Sequence, residues 1–176
     1  TYTTKYDFDD INGSEPIGSL MLASNNKFYG TANEGGTSGY GVLFEYDPAT
    51  NTFTKKTEFD GNTVGYDVVA RLMQAANGKF YGLCRDGGAN GNGLGTLFEY
   101  DLSTNTITVK VTFSGVNGET PEGGLVQASN GKLYGVTRYG GAYGKGVLFE
   151  YDIAANAYIK KHDFGATLTA LAHPTA

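Results

Sequence analysis

The sequence predicts an all-β fold made of about three similar four-stranded antiparallel units. Three observations carry that prediction. The phrase LFEYD recurs at Leu43, Leu97 and Leu148, at intervals of 54 and 51 residues. The composition holds 27 Gly, 13 Tyr and 10 Phe but no Trp, which suits short strands joined by tight turns. Finally, no stretch has the apolar spacing of an amphipathic helix.

Each unit reads as four strands in order. Strand one is SLMLA, RLMQA or GLVQA, and the turn SNN, ANG or SNG leads to strand two, KFYGTA, KFYGLC or KLYGVT. Asn77-Gly78 and Asn130-Gly131 are hairpin signals, because both residues tolerate positive φ. A double glycine (Gly35-Gly36, Gly87-Gly88, Gly140-Gly141) then precedes a loop of variable length. Four residues separate Gly36 from Gly41 and Gly141 from Gly146, and six separate Gly88 from Gly95. Insertion confined to that loop marks it as a surface connection on a fixed scaffold.

Strand three is the LFEYD phrase. Val42, Phe44 and Tyr46 alternate to one face, Leu43 and Glu45 to the other, so both faces are expected to be covered by neighbouring units. The turn DPATN supplies Asp, Pro and Asn in the order a tight turn uses. Strand four is TFTKKTEF, TITVKVTF or AYIKKHDF; its lysines Lys55, Lys56, Lys160 and Lys161 read as a solvated outer edge that discourages edge pairing. The repeats therefore run 16–59, 68–113 and 121–164. Residues 1–8 (TYTTKYDF) copy strand four as the outer strand of a preceding unit, and residues 165–176 resemble the start of a further one.

Four-stranded units of about 50 residues packed face to face are expected to be β-propeller blades. Three repeats of four strands is also the count of a β-trefoil, which stays as the alternative. Three blades do not close a ring, so the chain is expected to be part of a longer array or a protomer completed by other copies. Thr1 in place of Met fits a removed leader or an excerpt. YDPATNTF is similar to the kelch phrase in which an aromatic follows Tyr-Asp, here Phe53 seven residues after Tyr46, and the double glycines resemble those of kelch blades. A closer resemblance, over residues 16–164, is to the LYGxT…GG…GxxF pattern of the Gloeo/Verruco repeat. That resemblance implies a kelch-like propeller in exported, often multidomain bacterial surface proteins, and it implies no characterised activity. The absence of Trp departs from kelch; Phe53, Ile107 and Tyr158 stand in its place.

Composition limits the chemistry. A net charge of −5 offers no basic field for nucleic acid, and no apolar run reaches the length of a membrane span. Cys84 is alone and reads as a small buried thiol. His162 and His173 have no second ligand at metal spacing, and neither cofactor nor metal is expected; calcium in the Asp60 to Asp67 loop stays as an alternative, although its spacing does not match an EF-hand loop. Glu45, Glu99 and Glu150 invite a catalytic reading, but residues duplicated in every unit are structural; a half-buried Glu bonded to the neighbouring blade is expected. Asp47, Asp101 and Asp152 begin turns.

Ligand binding is expected where the units differ. Asn33-Glu34, Arg85-Asp86 and Arg138-Tyr139 precede the double glycines, and the loops beyond add Tyr40, Asn90, Asn92, Tyr143 and Lys145. Together they would form one rim with two guanidinium forks and aromatic faces, suited to a glycan or a protein ligand. Ordinary loop drift explains the same variation. The sequence reading is thus a non-enzymatic extracellular binding or adhesion module. A structural unit that self-associates through open blade ends is the alternative, and a propeller enzyme is a more distant third.

Overall fold

The computed structural model describes residues 1–68, 70–89 and 93–165. It contains three four-stranded antiparallel sheets, each a simple meander. The first comprises β1 (Met21–Leu22), β2 (Phe28–Ala32), β3 (Val42–Asp47) and β4 (Thr52–Glu58). The second comprises β5 (Met73–Gln74), β6 (Phe80–Cys84), β7 (Thr96–Asp101) and β8 (Thr106–Thr112). The third comprises β9 (Val126–Gln127), β10 (Leu133–Val136), β11 (Val147–Asp152) and β12 (Ala157–Asp163). Each first strand is only two residues long, shorter than the phrase that encodes it. Residues 1–8 join no ladder, although their sequence copies strand four.

The sheets stack face to face as blades. Tyr29 and Leu43 on the back of the first sheet pack with Phe80, Phe98 and Tyr100 on the front of the second. In the same way Tyr81, Leu83 and Leu97 meet Leu133, Phe149 and Tyr151 of the third. Fully burying each ring contributes about 1.5–3 kcal/mol. The last residue of the first and second repeats reaches across: Phe59 lies 5.5 Å from Phe98, and Phe113 lies 5.6 Å from Phe149. First strands converge around a shared cleft of about 520 Å³ lined by Leu22, Leu72, Gln74 and Leu125, so the sheets radiate like propeller blades. Glutamine clasps tie this inner side. Gln74 accepts from Ser24 N at 2.8 Å and donates to Gly78 O, and Gln127 repeats the pattern with Ala76 N and Gly131 O. A trefoil's capped barrel is not this arrangement.

The repeated phrases now have physical reasons. In KFYG the glycine (Gly30, Gly82, Gly135) leaves room for a phenylalanine of strand three; at Gly30 a Cβ would sit 2.6 Å from Phe44 Cζ and 2.9 Å from Leu20. The turn before strand two is a three-residue loop, with Asn26, Gly78 and Gly131 at positive φ and Asn77 absent from that region. Its i→i+3 bond runs from Gly78 N to Ala75 O. This differs from the two-residue Asn-Gly hairpin, because the second residue alone takes the left-handed conformation. In YDxxxN, the Tyr46 hydroxyl donates to Oδ1 of Asn51 at 2.8 Å, while Asp47 accepts from Ala49 N at 2.9 Å. Asn51, Asn105 and Asn156 take φ of 56°, 58° and 50°.

A bulge recurs in every blade. The β3–β4 register shifts after Leu43, Leu97 and Leu148, leaving Lys56, Lys110 and Lys161 without a cross-strand partner. These lysines turn toward Glu45, Glu99 and Glu150, at 3.9, 3.3 and 3.4 Å. Each glutamate also pairs with the lysine that opens strand two: Lys27 at 2.7 Å, Lys79 at 2.8 Å and Lys132 at 2.7 Å. Tyr29 donates to Glu45 at 2.5 Å, and Tyr81 and Tyr134 do the same for Glu99 and Glu150. Two sequence expectations are therefore corrected. The glutamates bind within their own blade, because strand two offers Lys and Tyr directly opposite. Lys56 is half-buried, because the bulge turns it toward the buried Glu45 carboxylate, whereas Lys161 reaches Glu150 and stays exposed as the sequence predicts.

Candidate functional site

The two residues after each second strand are fixed by pairing with the connection that enters the same sheet. Ser14 and Glu34 form an isolated bridge, as do Tyr66 and Asp86, and Glu119 and Tyr139. Beside them Arg85 N donates to Asp67 O and Arg138 N to Thr120 O, each at 3.0 Å. Glu15, Asp67 and Thr120 hold positive φ there, of 52°, 58° and 53°. The double glycine packs beneath. A Cβ on Gly140 would meet Gly115 O at 2.5 Å, so its role is to let two loops touch.

At the junction of the first and second sheets, Glu15, Ile17, Asn33, Glu34, Tyr66, Asp67 and Arg85 line a cleft of about 240 Å³. Asp67 bonds to two of its other lining residues, Asn33 and Arg85. Arg85 Nη2 reaches Asp67 Oδ2 at 2.5 Å, and its Nε donates to Asp86 at 2.9 Å. Asn33 Nδ2 donates to Asp67 Oδ1 at 2.5 Å, and Asn33 Oδ1 is buried with no hydrogen-bond partner. Burial pushes the Asp67 carboxyl above the ordinary carboxylate value against the pull of Arg85, and the charges of Asp86 and Glu122 add to the rise. Tyr40 lies 5.2 Å from Tyr66, so an aromatic pair flanks the cleft.

The other predicted residues continue the rim on the third sheet. Arg138 Nη1 contacts both carboxylate oxygens of Glu122, at 3.0 and 3.2 Å, and its guanidinium carbon lies 5.0 Å from the Tyr139 ring centre. Tyr143 is exposed and stands apart, beside Gly165. The structure thus gathers Asn33, Glu34, Arg85 and Asp86 with Tyr40 nearby, pairs Arg138 with Tyr139, and leaves Tyr143 on a separate loop. Both guanidinium forks are engaged by rim carboxylates. Asn90 and Asn92 lie outside the described residues. Sequence reasoning missed Glu15, Asp67 and Glu122, although the recurring Gly-x-Glu, Gly-x-Asp and Gly-x-Thr (residues 13–15, 65–67 and 118–120) carried a signal.

Reactive groups lie elsewhere. Burial pushes the Cys84 thiol up to about 12. His162 makes an edge contact with Phe164, and His173 is outside the described residues. Among the described residues no group of three or more His, Cys, Asp or Glu is placed to hold a metal ion, and no helix is long and apolar enough to cross a membrane.

The Gloeobacter/Verrucomicrobia repeat model matches residues 1–175. The chain belongs to this repeat family. No curated protein matches the chain. Solved structures similar to this Gloeobacter/Verrucomicrobia repeat protein are β-propellers. The extracellular domain of a one-component system from B. thetaiotaomicron has a TM-score of 0.55 and 17% identity, covering 82% of this chain and 16% of that one. TolB from Acinetobacter baumannii has a TM-score of 0.54 and 17% identity, covering 89% and 33%. An ulvan lyase of polysaccharide lyase family PL25 has a TM-score of 0.56 and 10% identity, covering 89% and 41%. At these identities the likeness is one of fold, and this repeat chain spans less than half of each neighbour. Its kelch resemblance rests on the Tyr-Asp and double-glycine phrases alone.

Proposed function

We propose that the chain is a non-catalytic binding module of an exported bacterial propeller, and that its loop rim takes a glycan. The observation that carries this reading is the cleft in which Asn33, Asp67 and Arg85 interlock beside Tyr40 and Tyr66. Planar amide, carboxylate and guanidinium groups locked to one another present fixed donors and acceptors to adjacent hydroxyls, and tyrosine faces cover the C–H side of a sugar ring. Binding without catalysis is supported by a thiol too buried to ionise near neutral pH. Export is supported by the extracellular domain among its structural neighbours.

A structural reading has its own observation: both rim arginines are already paired within the chain. Glycan-array binding followed by calorimetry separates the two. Asp67→Ala and Arg85→Ala are expected to abolish binding, with Thr104→Ala at the opposite end of the blades without effect. Binding that survives both cleft substitutions overturns the assigned site. A rim that takes neither glycan nor protein supports the structural reading.

A further inference from the structure

The two outer faces of the stack are apolar and match the faces buried inside it. On the back of the third sheet, Val126, Tyr134, Val136 and Leu148 hold the positions of Met73, Tyr81, Leu83 and Leu97 in the second. Leu83 and Leu97 are 1% and 0% exposed, whereas Val126 and Val136 are 65% and 39% exposed. On the front of the first sheet, Leu20, Phe28, Phe44 and Tyr46 correspond to Leu72, Phe80, Phe98 and Tyr100. An apolar cleft of about 440 Å³ lies there, between that sheet and residues 2–8.

Residues 1–8 occupy this front face in a telling way. Phe8 lies 5.4 Å from Phe44, which is the contact that Phe59 makes with Phe98 and Phe113 with Phe149. Phe164 closes the third repeat at the same position, with its N–H donating to Gly146 O as Phe59 N donates to Gly41 O, yet it is 39% exposed. Tyr6 adds a stack on Phe53 at 3.7 Å. The segment is therefore a strand-four mimic held by side chains and without a ladder.

We propose that the back of the third sheet docks onto the front of the first sheet in a second copy of this chain, and that residues 1–8 compete with that docking. Both internal blade interfaces supply the template. The back face that arrives in each case ends in a phenylalanine that must seat on the receiving Phe, and in a docked pair Phe164 of one copy claims the place of Phe8 in the other. The contact is head-to-tail, so each copy keeps one face free. One internal contact is not reproduced. Leu22 stands where Gln74 and Gln127 form clasps, so this junction is weaker than the internal ones and reversible.

Sedimentation velocity of residues 1–176 across a concentration series tests the proposal. Wild type is expected to show mass rising with concentration, and deletion of residues 1–8, or the milder Phe8→Ala, to tighten association about tenfold if the segment is seated some nine-tenths of the time. Val126→Lys with Val136→Lys blocks the back face, and Leu20→Lys blocks the front; all three positions are exposed, so the fold tolerates them. Each blocked chain alone is expected to be monomeric, because every contact needs one working front and one working back. A mixture of the two restores a single capped dimer, because each supplies the face the other lacks. Association that persists in the back-face variant, a mixture that stays monomeric, or a deletion variant that stays monomeric at every concentration overturns the proposal. A monomer whose apolar face also fails to bind a hydrophobic dye shows that the chain covers itself, and it overturns the proposal too.

Discussion

Gly135→Ala tests the packing logic of the repeat. Gly135 lies in β10 outside the left-handed region, so the backbone accepts alanine without strain. Space is the obstacle. The new Cβ would lie 2.5 Å from Phe149 Cζ, 2.9 Å from Cε1 and 3.0 Å from Leu125 Cδ2. Carbon atoms prefer about 3.5–4.0 Å, so the ring must retreat by roughly 1 Å. Phe149 is fully buried against Phe113 and Tyr158, and it has nowhere to go without opening the blade interface. Overpacking of this kind costs about 1–3 kcal/mol, while replacing a strand glycine returns about 0.5–1 kcal/mol of backbone entropy. With the ring confined, the overpacking cost falls in the upper part of that range, about 2–3 kcal/mol, and the net loss is about 1–2.5 kcal/mol, which lowers Tm by roughly 2–10 °C in a chain of this size. Urea and thermal unfolding measure it, with Gly124→Ala as the control, since a Cβ there meets nothing within 4 Å and no positive φ is involved. Shortening the ring in Gly135→Ala/Phe149→Leu should recover part of the loss through a favourable coupling. A Gly135→Ala protein as stable as wild type would refute the account of KFYG.

Acid should weaken the fold through the repeated glutamates. Burial raises the carboxyls of Glu45 and Glu99, but bonds from lysine and tyrosine overcome it and hold both below the usual value; Glu150, held chiefly by Lys132, falls to about 2. A folded pKa below the unfolded one gives stability that is complete above the unfolded value of about 4.3 and lost as pH falls toward the folded value. Tm should therefore drop between about pH 4.5 and 2, and Glu150→Gln should flatten that drop; an unchanged profile would count against the network. Cys84 should resist thiol reagents in the native protein and react only on unfolding, because burial pushes its thiol up to about 12; labelling at the rate of a free thiol would contradict that placement. Asn105→Ala should cost about 1 kcal/mol or more by urea titration, since it loses both the Tyr100 hydrogen bond at 2.5 Å and a residue suited to φ of 58°, and Asn105→Gly should recover the backbone part. Equal stability of the alanine and glycine variants would remove the conformational half of that argument.

The sequence alone determined the blade. Alternation in LFEYD assigns its two faces correctly, because a strand's side chains point to opposite sides whatever surrounds it. The recurrence of LFEYD and KFYG sets the number of sheets, and it places the variable residues 33–34, 85–86 and 138–139 just beyond strand two. Tertiary structure decided what crosses between segments distant in the chain. The bulge that turns Lys56 onto Glu45 depends on a register shift that no local pattern encodes. The cleft depends on Asp67, which lies 34 residues from Asn33 and belongs to a connection whose left-handed backbone only the fold imposes. Residues 1–8 carry the alphabet of a strand but form none, because a strand needs a hydrogen-bonding neighbour as well as its own side chains, and packing on Phe44 and Phe53 supplies only the second.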